Sequence, residues 1–170
     1  MKQFFDKPMK EFQIRELSRI TDLSIPAVID HLKILVEEKL VKKIEGNIYA
    51  AYKADYDSEK YKHYKKMDML KRIYDSGLKD YLDEELSFPG AMVLFGSANY
   101  GEDIEKSDID IFLIAKEKEL ELEKYESIIN RKISLHFASQ EKWASMKEKS
   151  KELANNILNG TTISGFLEAL

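Results

Sequence analysis

Residues 94–115 read LFGSANYGEDIEKSDIDIFLIA, and this stretch decides the fold of the C-terminal half of the chain. It begins at the end of a short apolar run, residues 91–95, which predicts a buried strand that stops at Gly96-Ser97. Beyond a polar loop, residues 109–115 form a second and nearly continuous apolar run, which predicts another strand covered on both faces. Two buried strands joined through a glycine-containing loop are therefore expected at the centre of a C-terminal domain.

The polar residues of this stretch have types and spacings that suit phosphate and metal chemistry. Gly96 permits close approach of the backbone, and the amides and hydroxyl around Ser97 can face an anion. Asp108 and Asp110 stand two residues apart at a strand start, so both side chains are expected on one face of the sheet. Such a pair of carboxylates suits Mg²⁺, which commonly takes one or two carboxylates together with substrate phosphates. The pattern predicts metal-assisted phosphoryl or nucleotidyl transfer.

The remaining elements define the fold class. Residues 116–131 and 140–158 are predicted to be helical, and residues 132–138 and 161–164 to be strands. Nearer the N-terminus, the pattern predicts a short helix at 14–20, a turn, and a second helix at 25–38 that is capped by Ser24. A hairpin follows at 40–53, with its turn at Glu45-Gly46-Asn47. This is the order of elements in a winged helix-turn-helix. We therefore predict an α+β protein with a winged helix-turn-helix at 1–56, a helical connector at 57–86 that breaks near Ser76-Gly77, and an α/β domain with a mixed sheet at 87–170.

Composition excludes several classes of protein. The 170 residues are 44% hydrophobic and 34% charged, which is typical of a globular chain. The absence of cysteine excludes disulfides, thiolate zinc sites and a cysteine nucleophile, and fits a reducing cytoplasm. Because no apolar run reaches the length of a membrane span, we expect no membrane partner. The net charge is -4, and residues 1–56 carry ten basic against nine acidic side chains, so DNA contact is expected only from this nearly neutral third.

The Gly-Ser turn, the ten-residue spacer and the Asp-x-Asp strand resemble the motif of the DNA polymerase beta-like nucleotidyltransferase superfamily, and in particular the minimal nucleotidyltransferases of archaea and bacteria. The resemblance implies that Gly96 and Ser97 bind the triphosphate and that Asp108 and Asp110 ligate Mg²⁺. It also implies a nucleoside triphosphate donor, with ATP expected, and an acceptor hydroxyl on a partner protein, as in antitoxins of this group.

The motif departs from the family pattern at two places. Ala98-Asn99-Tyr100 stand where minimal members often carry an arginine, and Lys106 is the candidate to supply that charge at the nucleotide. The superfamily also carries a third carboxylate on a later strand, whereas here Ser134 and His136 occupy the matching face. His136 is either a catalytic general base or a hydrogen-bonded structural histidine. The alternative function is a DNA-binding transcriptional regulator whose transferase domain binds nucleotide with weak or absent catalysis.

The N-terminal segment resembles the winged-helix domains of prokaryotic transcription regulators. Such domains place the second helix in the major groove and the wing on the phosphates. The residues that this resemblance places on bases are Ser24, Ala27, Asp30, His31 and Lys33, and those that it places on phosphates are Lys42, Lys43, Asn47 and Lys53. A winged helix that docks a protein instead of DNA stays open as an alternative. The apolar residues of the connector make a homodimer a further expectation.

Overall fold

The computed structural model describes residues 1–46 and 50–168. The chain is an α+β protein that divides into two compact units, Met1–Lys65 and Lys66–Leu170. Each unit has its own β-sheet and its own hydrophobic core. Within the described residues, no helix combines the length and the apolar character that crossing a lipid bilayer requires.

The first unit contains a helix-turn-helix followed by a pair of antiparallel strands. Its elements in chain order are α1 (Lys2–Asp6), β1 (Phe12–Gln13), α2 (Ile14–Thr21), α3 (Ile25–Glu37), β2 (Val41–Ile44) and β3 (Ala51–Ala54). The strands pair antiparallel in the order β1-β3-β2. The predicted winged helix-turn-helix architecture is confirmed. Of the predicted wing turn, Asn47 lies outside the described residues.

Local signals set the ends of the two central helices of this unit. Helix α2 ends at Asp22, whose φ of 54° is left-handed. Helix α3 begins after Ser24, whose hydroxyl oxygen accepts a hydrogen bond from the Ala27 amide at 3.4 Å. The apolar faces of both helices then pack on the strands, and the buried residues of this core include Phe4, Phe12, Leu17, Val28, Leu32, Val41 and Tyr61.

Two helices follow, α4 (Glu59–Asp75) and α5 (Leu78–Glu85). They are separated at Gly77, whose φ of 79° is disfavoured for residues with a side chain. The predicted helical connector and its break are therefore present. The second unit buries Ile73 of α4 and Leu78 of α5 completely in its core.

The second unit is built on a mixed sheet. Its remaining elements are β4 (Ala91–Phe95), α6 (Gly96–Tyr100), β5 (Ile109–Ile114), α7 (Glu123–Ile129), β6 (Ile133–Ala138), α8 (Gln140–Lys149), α9 (Lys151–Leu158) and β7 (Thr161–Gly165). The strand order is β6-β5-β4-β7, in which β5 and β6 run parallel and the other neighbours run antiparallel. The predicted mixed sheet is confirmed.

Apolar side chains cover both faces of the two central strands, which explains why the sequence of these strands is apolar except at Asp110. One face carries Met92, Leu94, Ile109, Ile111 and Leu113, packed with residues of α4, α5 and α7. The opposite face carries Val93, Phe95, Phe112 and Ile114, packed with Trp143 of α8 and with Ala154 and Ile157 of α9. The two layers hold the ends of β4 and β5 in fixed register.

Two predicted helices differ from the structure. The helix expected over 116–131 is confined to Glu123–Ile129, because Leu120 and Leu122 pack on the core from a non-helical segment whose Glu121 amide donates to the Tyr81 hydroxyl at 3.0 Å. The helix expected over 140–158 is two helices, because Ser150 has the non-helical angles φ -129° and ψ 54°. Neither difference affects the ends of β4 and β5.

Candidate functional site

The end of β4 and the start of β5 bring the glycine turn and one acidic residue together. Phe95 is paired with Asp110 across the antiparallel ladder, so the chain turns into α6 directly beside the Asp110 carboxylate. Gly96 has a φ of 69°, and a Cβ atom at this position would lie 2.6 Å from Asp110 Oδ2. The site therefore requires glycine at residue 96 for two reasons, the backbone conformation and the space that the carboxylate occupies.

Ser97 is the second residue of α6 and is half-buried. The helix is closed by Gly101, whose φ is 69°, and the Glu102 amide donates to the Ser97 carbonyl at 2.9 Å. Ala98, the next residue after Ser97, is buried in the core of the unit. These contacts supply part of the restraint on the short segment that carries the Ser97 hydroxyl.

The second predicted acid, Asp108, lies one residue before β5 and is exposed. Its strand neighbour Ile109 donates its amide to the Lys132 carbonyl at 2.8 Å, which brings Asp108 close to Lys132. The pKa of Lys132 is raised, mainly by its hydrogen bond to Glu126 and to a smaller extent by the charge of Asp108. Conversely, Lys132 and the Ile133 amide lower the pKa of Glu126.

His136 reaches Asp110 from the neighbouring strand β6. Its Nε2 lies 3.1 Å from Asp110 Oδ1 and 3.3 Å from Ser134 Oγ. Its ring meets the Phe95 ring edge to face, with centroids 5.1 Å apart. Asp110 therefore has one carboxylate oxygen beside Gly96 and the other beside His136, which joins the turn, the acid and the histidine in one cluster.

The carboxylates of this cluster are the candidate ligands for Mg²⁺. Among the described residues, no group of three or more His, Cys, Asp or Glu side chains is arranged to hold a metal ion. Asp108 and Asp110 offer two carboxylates, and a Mg²⁺ site built from one or two carboxylates is completed by substrate phosphates and water. The residues present therefore fit a metal that binds together with a nucleotide.

Lys106 stands apart from the cluster. It lies in an exposed turn of the loop between α6 and β5, closed by the Ile104 amide donating to Ser107 Oγ at 2.9 Å and by the Ser107 amide donating to the Ile104 carbonyl at 3.0 Å. No hydrogen bond or ion pair among the described residues joins Lys106 to Gly96, Ser97 or Asp110. Its predicted contact with the nucleotide stays a prediction.

In the first unit, the residues expected on DNA bases lie on or next to α3. Ser24 caps the helix, Ala27 is half-buried, and Lys33 is exposed with its Nζ 3.4 Å from Asp30 Oδ1. His31 is exposed and lines an apolar cavity of about 300 Å³ between α1, α2 and α3. The side chains of Ser24 and Lys33, which are expected to contact DNA bases, are therefore already bonded to other residues of the unit.

Of the three lysines expected on phosphates, Lys42 and Lys43 are exposed on β2, and Lys53 is half-buried on β3. Lys42 Nζ lies 2.8 Å from Asp55 Oδ1 and 3.2 Å from Asp57 Oδ2, and hydrogen bonds to these carboxylates raise the pKa of Lys42. Lys43 is the next residue along the strand and is also exposed. A DNA phosphate at Lys42 would compete with two carboxylates of the same unit.

A family model described as "Polymerase beta, Nucleotidyltransferase" matches residues 76–165, more than half of the chain. The chain belongs to this nucleotidyltransferase family. A second model, described as "Bacterial regulatory protein, arsR family", matches residues 2–43, which contain the helix-turn-helix. No curated protein and no solved structure matches the chain. The protein therefore combines an ArsR-type helix-turn-helix with a nucleotidyltransferase domain, which supports a nucleotidyltransferase role, a DNA-binding role, or both.

The nucleotidyltransferase domain also contains residues near the motif for which the sequence predicted no role. Asn99 is buried, and its side chain joins α6 to the turn between α9 and β7. Asp103 and Arg131 are buried as well, and Asp103 Oδ2 lies 3.4 Å from both Nε and Nη2 of Arg131. Each of the three stands beside an exposed residue in the chain, so no burial pattern in the sequence marks them and only the fold identifies their partners.

Proposed function

We propose that this protein is a Mg²⁺-dependent nucleotidyltransferase that moves a nucleoside monophosphate from a triphosphate, with ATP as the expected donor, to an acceptor hydroxyl. The acceptor oxygen forms a bond to the α-phosphorus, the bond from that phosphorus to the bridging oxygen breaks, and pyrophosphate leaves. One observation carries the proposal: the Gly96 turn lies directly against the Asp110 carboxylate. This contact brings the turn that would hold phosphate next to the acid that would hold Mg²⁺.

Each residue of the cluster has a distinct part in the proposal. Gly96 and Ser97 hold the triphosphate through backbone amides and the Ser97 hydroxyl. Asp108 and Asp110 hold Mg²⁺, which when bound neutralises phosphate charge and polarises the reacting phosphoryl group. The close approach at Gly96 supports this division, because any larger residue would fill the space beside Asp110.

His136 is proposed to accept the proton of the acceptor hydroxyl at Nδ1, while its Nε2–H donates to the Asp110 carboxylate. The strand that in related enzymes carries a third acid here carries Ser134 and His136, and His136 Nε2 is within 3.1 Å of Asp110 Oδ1. Asp110 orients the ring, and the exposed side of the ring is open to an acceptor. General base catalysis of this kind contributes on the order of 100-fold or more to a rate.

The acceptor is proposed to be a hydroxyl of a separate protein chain, following the resemblance to antitoxin-like minimal nucleotidyltransferases. A homodimer is part of the same proposal, since Met67 and Tyr74 of α4 are large apolar residues that are about half exposed. Sedimentation equilibrium of the full chain tests the dimer. A single species of 19.8 kDa at all concentrations would contradict it.

The transferase proposal is tested with nucleoside triphosphates labelled at the α-phosphate, Mg²⁺ and acceptor proteins from a cell extract. Label is expected on protein with the wild type and not with Asp108→Asn/Asp110→Asn. The matched control is Glu117→Gln/Glu119→Gln, which removes two exposed carboxylates with the same spacing beyond the other end of β5. Label transfer that survives in the Asp108→Asn/Asp110→Asn protein would rule out the proposed site.

A second candidate is a DNA-binding regulator that senses nucleotide without turnover. The observation that favours it is His136 in place of a third acid, together with the absence of a three-residue acidic or histidine metal group among the described residues. In this case the wild type binds a nucleoside triphosphate in calorimetry, transfers no label to any acceptor, and shifts duplex DNA in a gel. Transfer of label by the wild type would reject this candidate.

A further inference from the structure

The position of Ser97 depends on contacts made outside its own helix. Helix α6 has five residues, fewer than an isolated helix needs to be stable in water. Its backbone hydrogen bonds alone therefore cannot hold the Ser97 hydroxyl in one place. Side chains of α6 that bond to the rest of the unit must supply the remaining restraint.

Asn99 supplies such a restraint through both ends of its amide. Its Nδ2 donates to the Asn159 carbonyl at 3.1 Å, and Thr161 Oγ1 donates to its Oδ1 at 2.7 Å. Asn99 is only 2% exposed, so its own side-chain amide is shielded from water. Asn99 thus connects the helix that carries Ser97 to a segment about sixty residues later in the chain.

That segment is itself held firmly. The Asn159 amide and side chain both donate to the Asn155 carbonyl, at 3.0 Å and 2.9 Å. Gly160 packs so closely on β4 that a Cβ atom would lie 2.5 Å from Val93 Cγ1 and 2.6 Å from the Leu94 carbonyl. Thr161 begins β7 and pairs with Leu94 of β4. The anchor of α6 is therefore fixed to the same strand that leads into Gly96.

We propose that Asn99 is a positioning residue, which acts with Thr161 to hold Ser97 for the triphosphate. The inference rests on the proposed nucleotidyltransferase function and adds a determinant of phosphate binding that lies outside the Gly-Ser and Asp-x-Asp motif. Asn99 does not touch the nucleotide in this account. It acts by keeping the first turn of α6 in register with Asp110.

The test compares Thr161→Val, which keeps the side-chain shape and loses the hydroxyl, with Thr161→Ser, which keeps the hydroxyl. A second variant, Asn99→Leu, removes both hydrogen bonds of the Asn99 side chain. Two quantities are measured on the full chain: the Michaelis constant for Mg·ATP, and amide hydrogen exchange at Glu102, whose N–H is bonded to the Ser97 carbonyl. Far-UV circular dichroism checks that each variant is folded. If Asn99→Leu does not fold, the comparison of Thr161→Val with Thr161→Ser decides the test by itself.

We expect Thr161→Val and Asn99→Leu to raise the Michaelis constant for Mg·ATP at least about tenfold, and to accelerate Glu102 exchange by a similar factor, with exchange in β4 unchanged. Thr161→Ser is expected to stay within about twofold of the wild type in both. Faster exchange with an unchanged Michaelis constant would overturn the positioning role, as would no change in either. Failure of the wild type to bind Mg·ATP would instead overturn the proposed function, and this inference with it.

Discussion

The Asp110 carboxylate lies against Gly96 so closely that one added carbon at residue 96 would be 2.6 Å from Oδ2. The contact follows from strand register, because Phe95 and Asp110 face each other across β4 and β5. The other carboxylate oxygen lies 3.1 Å from His136 Nε2. The Asp110 carboxylate thus contacts both the backbone turn at Gly96 and the His136 ring, although the three residues are distant in sequence.

Gly96→Ala is expected to abolish nucleotidyl transfer. Alanine at a φ of 69° is strained by about 1 kcal/mol, and its methyl group would also displace the Asp110 carboxylate. Gly77→Ala is the matched control, because Gly77 has a φ of 79° but open space around the added carbon. Both variants should lose stability in urea unfolding through backbone strain, Gly96→Ala the more because of its contact with Asp110, whereas only Gly96→Ala should lose transfer. Equal activity of the two variants would show that the close approach is unimportant.

Arg131→Met is expected to destabilise the second unit by about 3 kcal/mol, because it leaves the Asp103 carboxylate buried without its counter-charge. Urea unfolding of the wild type and the variant measures the difference. The double variant Asp103→Leu/Arg131→Met should recover much of the loss. Lys118→Met breaks an exposed pair with Glu85 and should change stability by less than about 1 kcal/mol. A similar effect of Arg131→Met and Lys118→Met would contradict the buried-pair account.

The variant Asp55→Asn/Asp57→Asn is expected to bind duplex DNA more tightly, because it releases Lys42 from two carboxylates. The slope of log affinity against log salt should become steeper by about 1, as expected for one additional phosphate contact. Fluorescence anisotropy with a generic duplex measures both quantities. The same substitutions in a Lys42→Met background provide the control. An equal gain in that background would mean that Lys42 does not contact phosphate.

His136→Gln is expected to lower turnover on the order of 100-fold while the Michaelis constant for the triphosphate changes by less than about threefold. Glutamine can still form a hydrogen bond with Asp110, but it cannot accept the proton of the acceptor. His63→Gln, in α4, is the control for loss of a histidine outside the cluster. Steady-state kinetics with labelled nucleotide separates the two constants. Unchanged turnover in His136→Gln would assign the ring a structural role only.

The sequence was sufficient to predict the elements whose signals are local. Residues 91–95 and 109–114 are apolar except at Asp110, because both faces of β4 and β5 are covered. The helix-turn-helix follows from its cap at Ser24 and its spacing of apolar residues. The placement of Gly96 beside Asp110 was implied once these two strands were neighbours. These features depend on residues close together in the chain or on a simple alternation of burial.

The features that could not be predicted depend on partners distant in sequence. Asn99 meets Thr161 across 62 positions, and Asp103 meets Arg131 across 28. The pattern around Lys42 gave no indication that two aspartates after β3 would lie beside it. The acidic segment 116–122 has helical composition, but burial of Leu120 and Leu122 outweighs that local preference. In each case tertiary contacts decide what the local pattern leaves open.

The central claim is that the Gly96 turn and the two aspartates jointly bind a metal-complexed triphosphate. Crystals grown with Mn²⁺ and a non-hydrolysable nucleoside triphosphate test it directly, because Mn²⁺ replaces Mg²⁺ and gives an anomalous signal. The account predicts an anomalous peak at the carboxylates of Asp108 and Asp110, with the triphosphate against Gly96 and Ser97. A nucleotide bound elsewhere, or no metal at the two aspartates, would contradict it.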